Sequence, residues 1–184
     1  MIRKIAVIGP ESTGKSTLCQ QLAAHYQTDW VPEYAREYLT THGTTYTFES
    51  LLDIAKGQIA LEEKHIVNLE QHLRSSPSAP ALFIDTEMYV MKVWCEFVYQ
   101  KCHHWIIDQI VERKYDLYLL CNIDLPWTPD VLREYPNPEP RKQLYCIYHD
   151  VLVNQSTPWV AVSGNYEERL QSAITAVDKI LSFS

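Results

Sequence analysis

The chain has 184 residues, 46% of them hydrophobic and 21% charged, which is enough apolar material for one domain with a full core. A net charge of -7 leaves no electrostatic footprint for a nucleic acid or an anionic membrane, and no apolar run approaches the ~20 residues of a membrane span. Five scattered cysteines, never spaced as CxxC, indicate neither a disulfide frame nor a zinc site, so a cytoplasmic protein acting on small molecules is expected.

In chain order, an apolar strand from Lys4 to Ile8 runs into Gly9, Pro10, Glu11, Ser12, Thr13, Gly14, Lys15 and Ser16, and a helical pattern follows from Leu18 to Tyr26. Strand, GxxxxGK[ST] loop and helix stand in the order that a phosphate-binding loop requires. The glycines let the backbone curl until successive amides face one anion, and the helix N-terminus adds its partial positive charge. Lys15 is placed for the β- and γ-phosphates of a nucleoside triphosphate and Ser16 for the bridging Mg2+, with Thr17 a secondary contact. The loop names the cofactor and leaves the reaction open.

A second strand, Asp29 to Pro32, leads into Glu33, Tyr34, Ala35, Arg36, Glu37 and Tyr38 at the start of a helix, on the sheet edge that carries the loop. Here Glu33 can hydrogen-bond a sugar hydroxyl or take its proton, and Arg36 can steady a phosphate. Glu37 reads equally well as a solvated acid of the first turn, and Tyr34 and Tyr38, four apart, as neighbours on one helix face. Leu52, Ala55, Ile59, Ile66, Leu69 and Leu73 then recur at helical spacing, and Ser75 to Pro80 end that long amphipathic helix with turn formers.

The third strand, Ala81 to Asp85, ends in a carboxylate positioned to hold Mg2+ through water or to accept a proton, which makes Asp85 the leading catalytic residue. Thr86 follows, where motor ATPases usually carry the glutamate that activates water. Glu87, Lys92 and Trp94 fall on a helix rich in Met88, Val90, Met91 and Val93, whose periodicity sends part of it into the core; Trp94 reads as a core tryptophan unless its exposed edge reaches the cleft. The fourth strand, Asp116 to Cys121, is followed by Asn122, Ile123 and Asp124, without the Asn-Lys-x-Asp run by which GTPases read guanine. With neither hydrolase signature present, transfer to an acceptor hydroxyl is the better reading of the loop.

Five of the ten prolines fall between Pro126 and Pro140, beside Asp130, Arg133, Arg141 and Lys142. This segment, about 124–145, cannot be helical throughout, and it reads as a lid over the triphosphate or as a stiff surface loop with solvated charges. Trp127, outside any strand, is suited to stacking on a base or pyridine ring. His103 and His104 are not spaced as a ligand pair on a helix. A fifth strand, Trp159 to Ser163, precedes a closing helix with Leu170, Ile174, Val177 and Leu181 on one face and Asn165 as its cap. The expected fold is α/β, a single domain over 1–184 with a doubly wound parallel five-stranded sheet.

Taken together, GPESTGKSTL from Gly9 to Leu18, VPEYAREYL from Val31 to Leu39, IDTE with the following Lys92, Val93 and Trp94, and DLYLL with Asp124, Leu125, Pro126 and Trp127 resemble a known family. It is the ribosylnicotinamide kinase domain of the bacterial NAD-biosynthesis regulators, the NadR type of P-loop kinase, and the likeness spans nearly the whole length. The resemblance implies a nucleoside kinase-like fold and ATP-dependent phosphorylation of the ribose 5′-hydroxyl of nicotinamide riboside, with ATP and Mg2+ as cofactors. It implies that Asp85 assists the hydroxyl or the metal, that Glu33 and Arg36 border the riboside with Trp127 near it, and that Arg133 and Arg141 close on the transferring phosphoryl group.

A cationic pyridine ring also suits a cleft offering Glu33, Glu87, Tyr34 and Trp127. Glu87 stands where aspartate is the commoner choice in the family pattern. No HxGH nucleotidyl-transfer motif occurs, and the chain begins at the first kinase strand, so neither adenylyltransferase nor repressor activity is expected. The competing readings are an ATP-binding switch or ATPase without a metabolite acceptor, and another nucleoside kinase. A monophosphate acceptor asks for more basic residues than Arg36 near the second strand.

Overall fold

The computed structural model describes residues 2–73 and 81–182; the turn formers Ser75 to Pro80 lie outside them. The elements run β1 (Arg3–Ile8), α1 (Lys15–Tyr26), β2 (Trp30–Val31), α2 (Tyr34–His42), α3 (Phe48–Leu73) and β3 (Ala81–Asp85). They continue with α4 (Met88–Tyr99), α5 (His104–Glu112), β4 (Leu117–Cys121), α6 (Pro138–Val153), β5 (Trp159–Val162) and α7 (Tyr166–Ser182). The strands form one sheet in the order β2-β3-β1-β4-β5, every neighbouring pair parallel. From β1 the chain crosses to the edge strand β2, returns inward to β3 beside β1, and then crosses to β4 and β5 on the other side, so the switch point where α/β sheets bind ligands lies at the carboxyl end of β1.

Alternation along the strands divides the core between two faces. Ile5, Val7, Phe83 and Leu119 pack with Leu18 and Leu22 of α1 and with Ala173 and Val177 of α7. Ala6, Ile8, Leu82, Ile84 and Leu120 face the other way, against Val90 and Val93 of α4 and Leu144 and Leu152 of α6. Both faces of β3 and β4 are therefore dry, as parallel strands require. A third cluster, including Leu51, Ile54, Met88, Met91 and Ile106, ties α2, α3, α4 and α5 into an outer layer beside the cleft.

Two expectations need adjusting. The second strand is only two residues long, because Asp29 Oδ1 accepts the Trp30 amide at 2.8 Å and Pro32 has no amide to give. The proline-rich segment is irregular only up to Asn137; α6 starts at Pro138, where a missing N–H costs nothing, and carries Arg141. At the last helix Asn165 Oδ1 accepts the amides of Glu167 and Glu168 at 3.0 and 3.1 Å, while Glu168 accepts the Asn165 amide at 2.8 Å, a reciprocal capping box. No helix among the described residues is long and apolar enough to cross a membrane.

Candidate active site

The loop between β1 and α1 is shaped by what surrounds it. Gly9 has φ 139°, and a Cβ there would lie 2.7 Å from the Cys121 carbonyl oxygen, so only glycine lets the loop pass the end of β4. Gly14, with φ 77°, precedes α1 without a side-chain cap, and no acid stands in the first turn, which leaves the helix amides and their partial positive charge for an anion. Thr13 Oγ1 donates to the Pro10 carbonyl at 2.7 Å and closes the curl from inside. Lys15 Nζ donates to the same carbonyl at 3.1 Å and so hangs over the loop interior.

Asp85 ends β3 at the level of Val7, one strand away from the loop. It is fully buried, and its Oδ2 accepts the Ser16 hydroxyl at 2.5 Å, while Oδ1 has no hydrogen-bond partner. Burial, with help from the Glu33 carboxylate, pushes its pKa up to about 6 against the pull of Lys15, the Ser16 bond and Arg36. A buried carboxylate oxygen without a donor, beside a hydroxyl, is a hard-oxygen pair that fits hydrated Mg2+, an ion that takes one or two protein oxygens and completes its shell with phosphate and water. Thr86, held at φ 76°, turns the chain sharply after Asp85, and its hydroxyl donates to Glu33 Oε1 at 3.4 Å.

From the loop, a cavity of about 250 Å³ extends past Glu33 and Arg36 to Leu39, Val90, Trp94, Phe97, Tyr135 and Tyr148. Trp94 thus packs against the third cluster and also lines the cavity. Val90 and Val93 take the sheet-facing side of α4, and Trp94, one step further round, is half-buried with its indole N–H donating to the Tyr46 hydroxyl at 2.9 Å. Phe97 and Tyr135, both in the cavity wall, meet edge to face with ring centroids 5.5 Å apart.

Three expected substrate residues lie elsewhere. Glu87 is 1% exposed and caps α4, each carboxylate oxygen 2.9 Å from the Tyr89 amide; burial and the nearby Glu62 carboxylate push its pKa up to about 8. The acid that reads as a ligand on sequence grounds is a helix cap behind the wall. Tyr34 lays its ring on Gly57, where a Cβ would come within 2.0 Å of it, and so packs α2 onto α3. Trp127 lies outside the cavity lining and receives the guanidinium groups of Arg141 and Arg133 over its ring at 5.3 and 5.8 Å. His103 stacks on Phe48 at 3.7 Å and meets the Phe48 carbonyl at 2.9 Å, a packing role.

The segment before α6 covers the loop. Arg133 donates to Ser12 Oγ at 3.2 Å, the Thr128 amide to the same oxygen at 3.1 Å, and Arg141 to the Ser12 carbonyl at 3.4 Å. The Arg141 Nε is buried without a partner, and desolvation lowers the pKa of its guanidinium. Glu11 accepts the amides of Glu134, at 3.0 Å, and of Tyr135. Arg36 pairs with Asp130 at 3.0 Å.

One residue of the site was not anticipated from the sequence. Arg169, 2% exposed, donates to the carbonyls of Thr13, Asn122 and Gly164 at 2.9, 2.8 and 2.8 Å and pairs with Asp124, so a single guanidinium braces the phosphate loop and the ends of β4 and β5. Its only sequence signal is its place on the stripe with Ala173, Ala176 and Val177, where an apolar residue is the norm.

Residues 4–169 match the AAA_28 family, described as an AAA domain. The chain belongs to that family. The chain is 26% identical, over 98% of its own length, to the trifunctional NAD biosynthesis/regulator protein NadR of Escherichia coli strain K12, of which it covers 43%. A solved NadR protein in complex with NR has a TM-score of 0.75 and 21% identity, covering 98% of this chain and 51% of that one. Thymidylate kinase from Ehrlichia chaffeensis gives 0.61 and 14%, covering 97% and 98%. The chain therefore spans less than half the length of the curated relative, and its fold is that of the P-loop kinases. The resemblance to the NadR type read from the sequence motifs is borne out.

Proposed function

We propose that this protein is an ATP-dependent small-molecule kinase that transfers the γ-phosphoryl group to the ribose 5′-hydroxyl of nicotinamide riboside, yielding nicotinamide mononucleotide and ADP. The observation that carries the reading is the continuity of one cavity from the phosphate loop, past Ser16 and Glu33, into a chamber walled by Trp94, Phe97 and Tyr135. A nucleotide-binding site that served only hydrolysis has no need for an aromatic chamber. Similarity to NadR supports the choice of acceptor. So does the chemistry of the wall, since aromatic faces beside a carboxylate suit the cationic ring of the riboside.

In this reading the loop amides and Lys15 hold the β- and γ-phosphates. Ser16 and Asp85 would hold Mg2+, which supplies charge neutralisation on the transferring group. Asp85, with a pKa near 6, is mostly ionised at neutral pH. Either it or Glu33 takes the hydroxyl proton as the ribose oxygen bonds to phosphorus and ADP leaves. Arg133 and Arg141, already resting on Ser12, shift onto the phosphoryl oxygens when these arrive.

The test is ADP release from Mg-ATP with nicotinamide riboside, with ordinary nucleosides and with no acceptor, together with the product mass. Riboside-dependent ADP and a product of mononucleotide mass support the proposal. ADP release indifferent to every acceptor identifies an ATPase, and preference for a neutral nucleoside removes the argument from the cationic ring.

A further inference from the structure

We infer that Glu11, although it lies inside the phosphate loop, is a positioning residue for the acceptor chamber and not a ligand of the nucleotide; the inference rests on the kinase reading above. Its chemistry is wrong for a phosphate. An ionised carboxylate can only accept hydrogen bonds, and it repels an anion that the surrounding amides and Lys15 attract. The structure gives its two oxygens other work. Oε2 accepts the Glu134 amide at 3.0 Å and Oε1 accepts the adjacent Tyr135 amide, so the loop grips two consecutive backbone donors of the lid.

Those two residues are the ones that finish the chamber. Tyr135 packs its ring edge to face on Phe97 in the cavity wall. Glu134 accepts the Tyr46 hydroxyl at 3.0 Å, and that hydroxyl oxygen accepts the Trp94 indole N–H at 2.9 Å. One path of hydrogen bonds thus runs from the phosphate loop through the lid to the wall of the chamber. Lys15 and Arg141 face the Glu11 carboxylate and offset its charge, while the Glu134 side chain adds to it. The other attachments of the lid hold different points: Ser12 takes Thr128 and Arg133, and Arg36 takes Asp130. Among the described residues, Glu11 is the side chain that holds the backbone amides of Glu134 and Tyr135. Setting the loop around a triphosphate therefore sets the aromatic wall, and the nucleotide and acceptor sites are coupled through a single side chain.

The experiment compares the full-length chain with Glu11→Ala and Glu11→Gln, by hydrogen exchange at the Glu134 and Tyr135 amides and by steady-state kinetics with Mg-ATP and nicotinamide riboside. For Glu11→Ala, exchange at the two amides rises about tenfold or more and the acceptor KM rises about tenfold, while the KM for ATP stays within about threefold. Glu11→Gln, which keeps one carbonyl oxygen as acceptor, falls between wild type and alanine on both measures. Unchanged exchange in Glu11→Ala overturns the inference, as does an ATP KM that rises as much as that of the acceptor. If the wild-type protein phosphorylates no acceptor, the proposed function falls, and exchange at the two amides alone decides the coupling.

Discussion

The phosphate loop and the lid face each other across the cleft, yet they are fastened in opposite ways. The loop is braced from its buried side: Thr13, 1% exposed, bonds to Pro10, Arg169 holds the Thr13 carbonyl from beneath, and Gly9 lies against Cys121. The lid is held at its rim, by Ser12, Glu11, the Arg36 to Asp130 pair and the Tyr46 to Glu134 bond. Buried, satisfied hydrogen bonds persist, whereas rim contacts exchange readily with water. The phosphate loop is therefore the rigid side of the cleft and the segment facing it the detachable one.

The sharpest way to break this contrast is Arg169→Met. It strips donors from the buried Thr13 carbonyl, from the half-buried carbonyls of Asn122 and Gly164 and from Asp124, and the unfolding free energy should fall by about 3–5 kcal/mol in chemical denaturation. A loss below about 1 kcal/mol means that the loop is not braced from beneath. Lys15→Ala should lower turnover by about 10²–10³-fold while leaving the denaturation midpoint almost unmoved, because the side chain lies over the loop and hydrogen-bonds a loop carbonyl instead of packing in the core. Unfolding of this variant places Lys15 in the bracing layer instead.

Acidity separates the buried side from the rim as well. Asp85 and Glu87 have folded-state pKa values of about 6 and about 8, above the ordinary 3.8 and 4.5, so the folded protein binds more protons than the unfolded chain across that window. Stability of the ligand-free protein should thus be highest at the acid side and fall as pH rises through about 4 to 8, at up to about 1.4 kcal/mol per pH unit for each group. Urea midpoints against pH measure this, and Glu87→Gln should flatten the fall above pH 6 while leaving the Asp85 part in place. At the rim, Asp130→Asn removes the partner of an arginine side chain that is 53% exposed, so stability should change by less than about 0.5 kcal/mol. A large loss there would show that the lid is as firmly held as the loop.

What could be read from the sequence follows the same division. Gripping phosphate needs consecutive amides, so Gly9 to Ser16 announces itself as one contiguous string; Asp85 is legible because an apolar strand ends in an acid. The chamber is assembled from single side chains on α2, α4, the lid and α6, and helical periodicity says only which face of α4 meets the sheet. It does not say that a lid roofs the adjoining face, which is why Trp94 reads as core and lines the cavity as well. Glu87 misleads for a related reason. An acid just after a strand-ending aspartate and just before a helix serves equally as ligand or as cap, and only its burial against the Tyr89 amide decides. Arg169 is the extreme case, a buried charge that joins the adjacent Gly164 turn to Thr13 and Asn122, both distant in the chain.

The brevity of β2 bears on how molecules of this protein meet one another. It forms one edge of the sheet, where an open row of backbone groups would invite a strand from another chain. Here the row is two residues long; the Trp30 amide is already taken by Asp29 and Pro32 has none to offer. That border of the sheet is a dead end for strand addition, which guards a chain rich in apolar β segments against edge-to-edge aggregation.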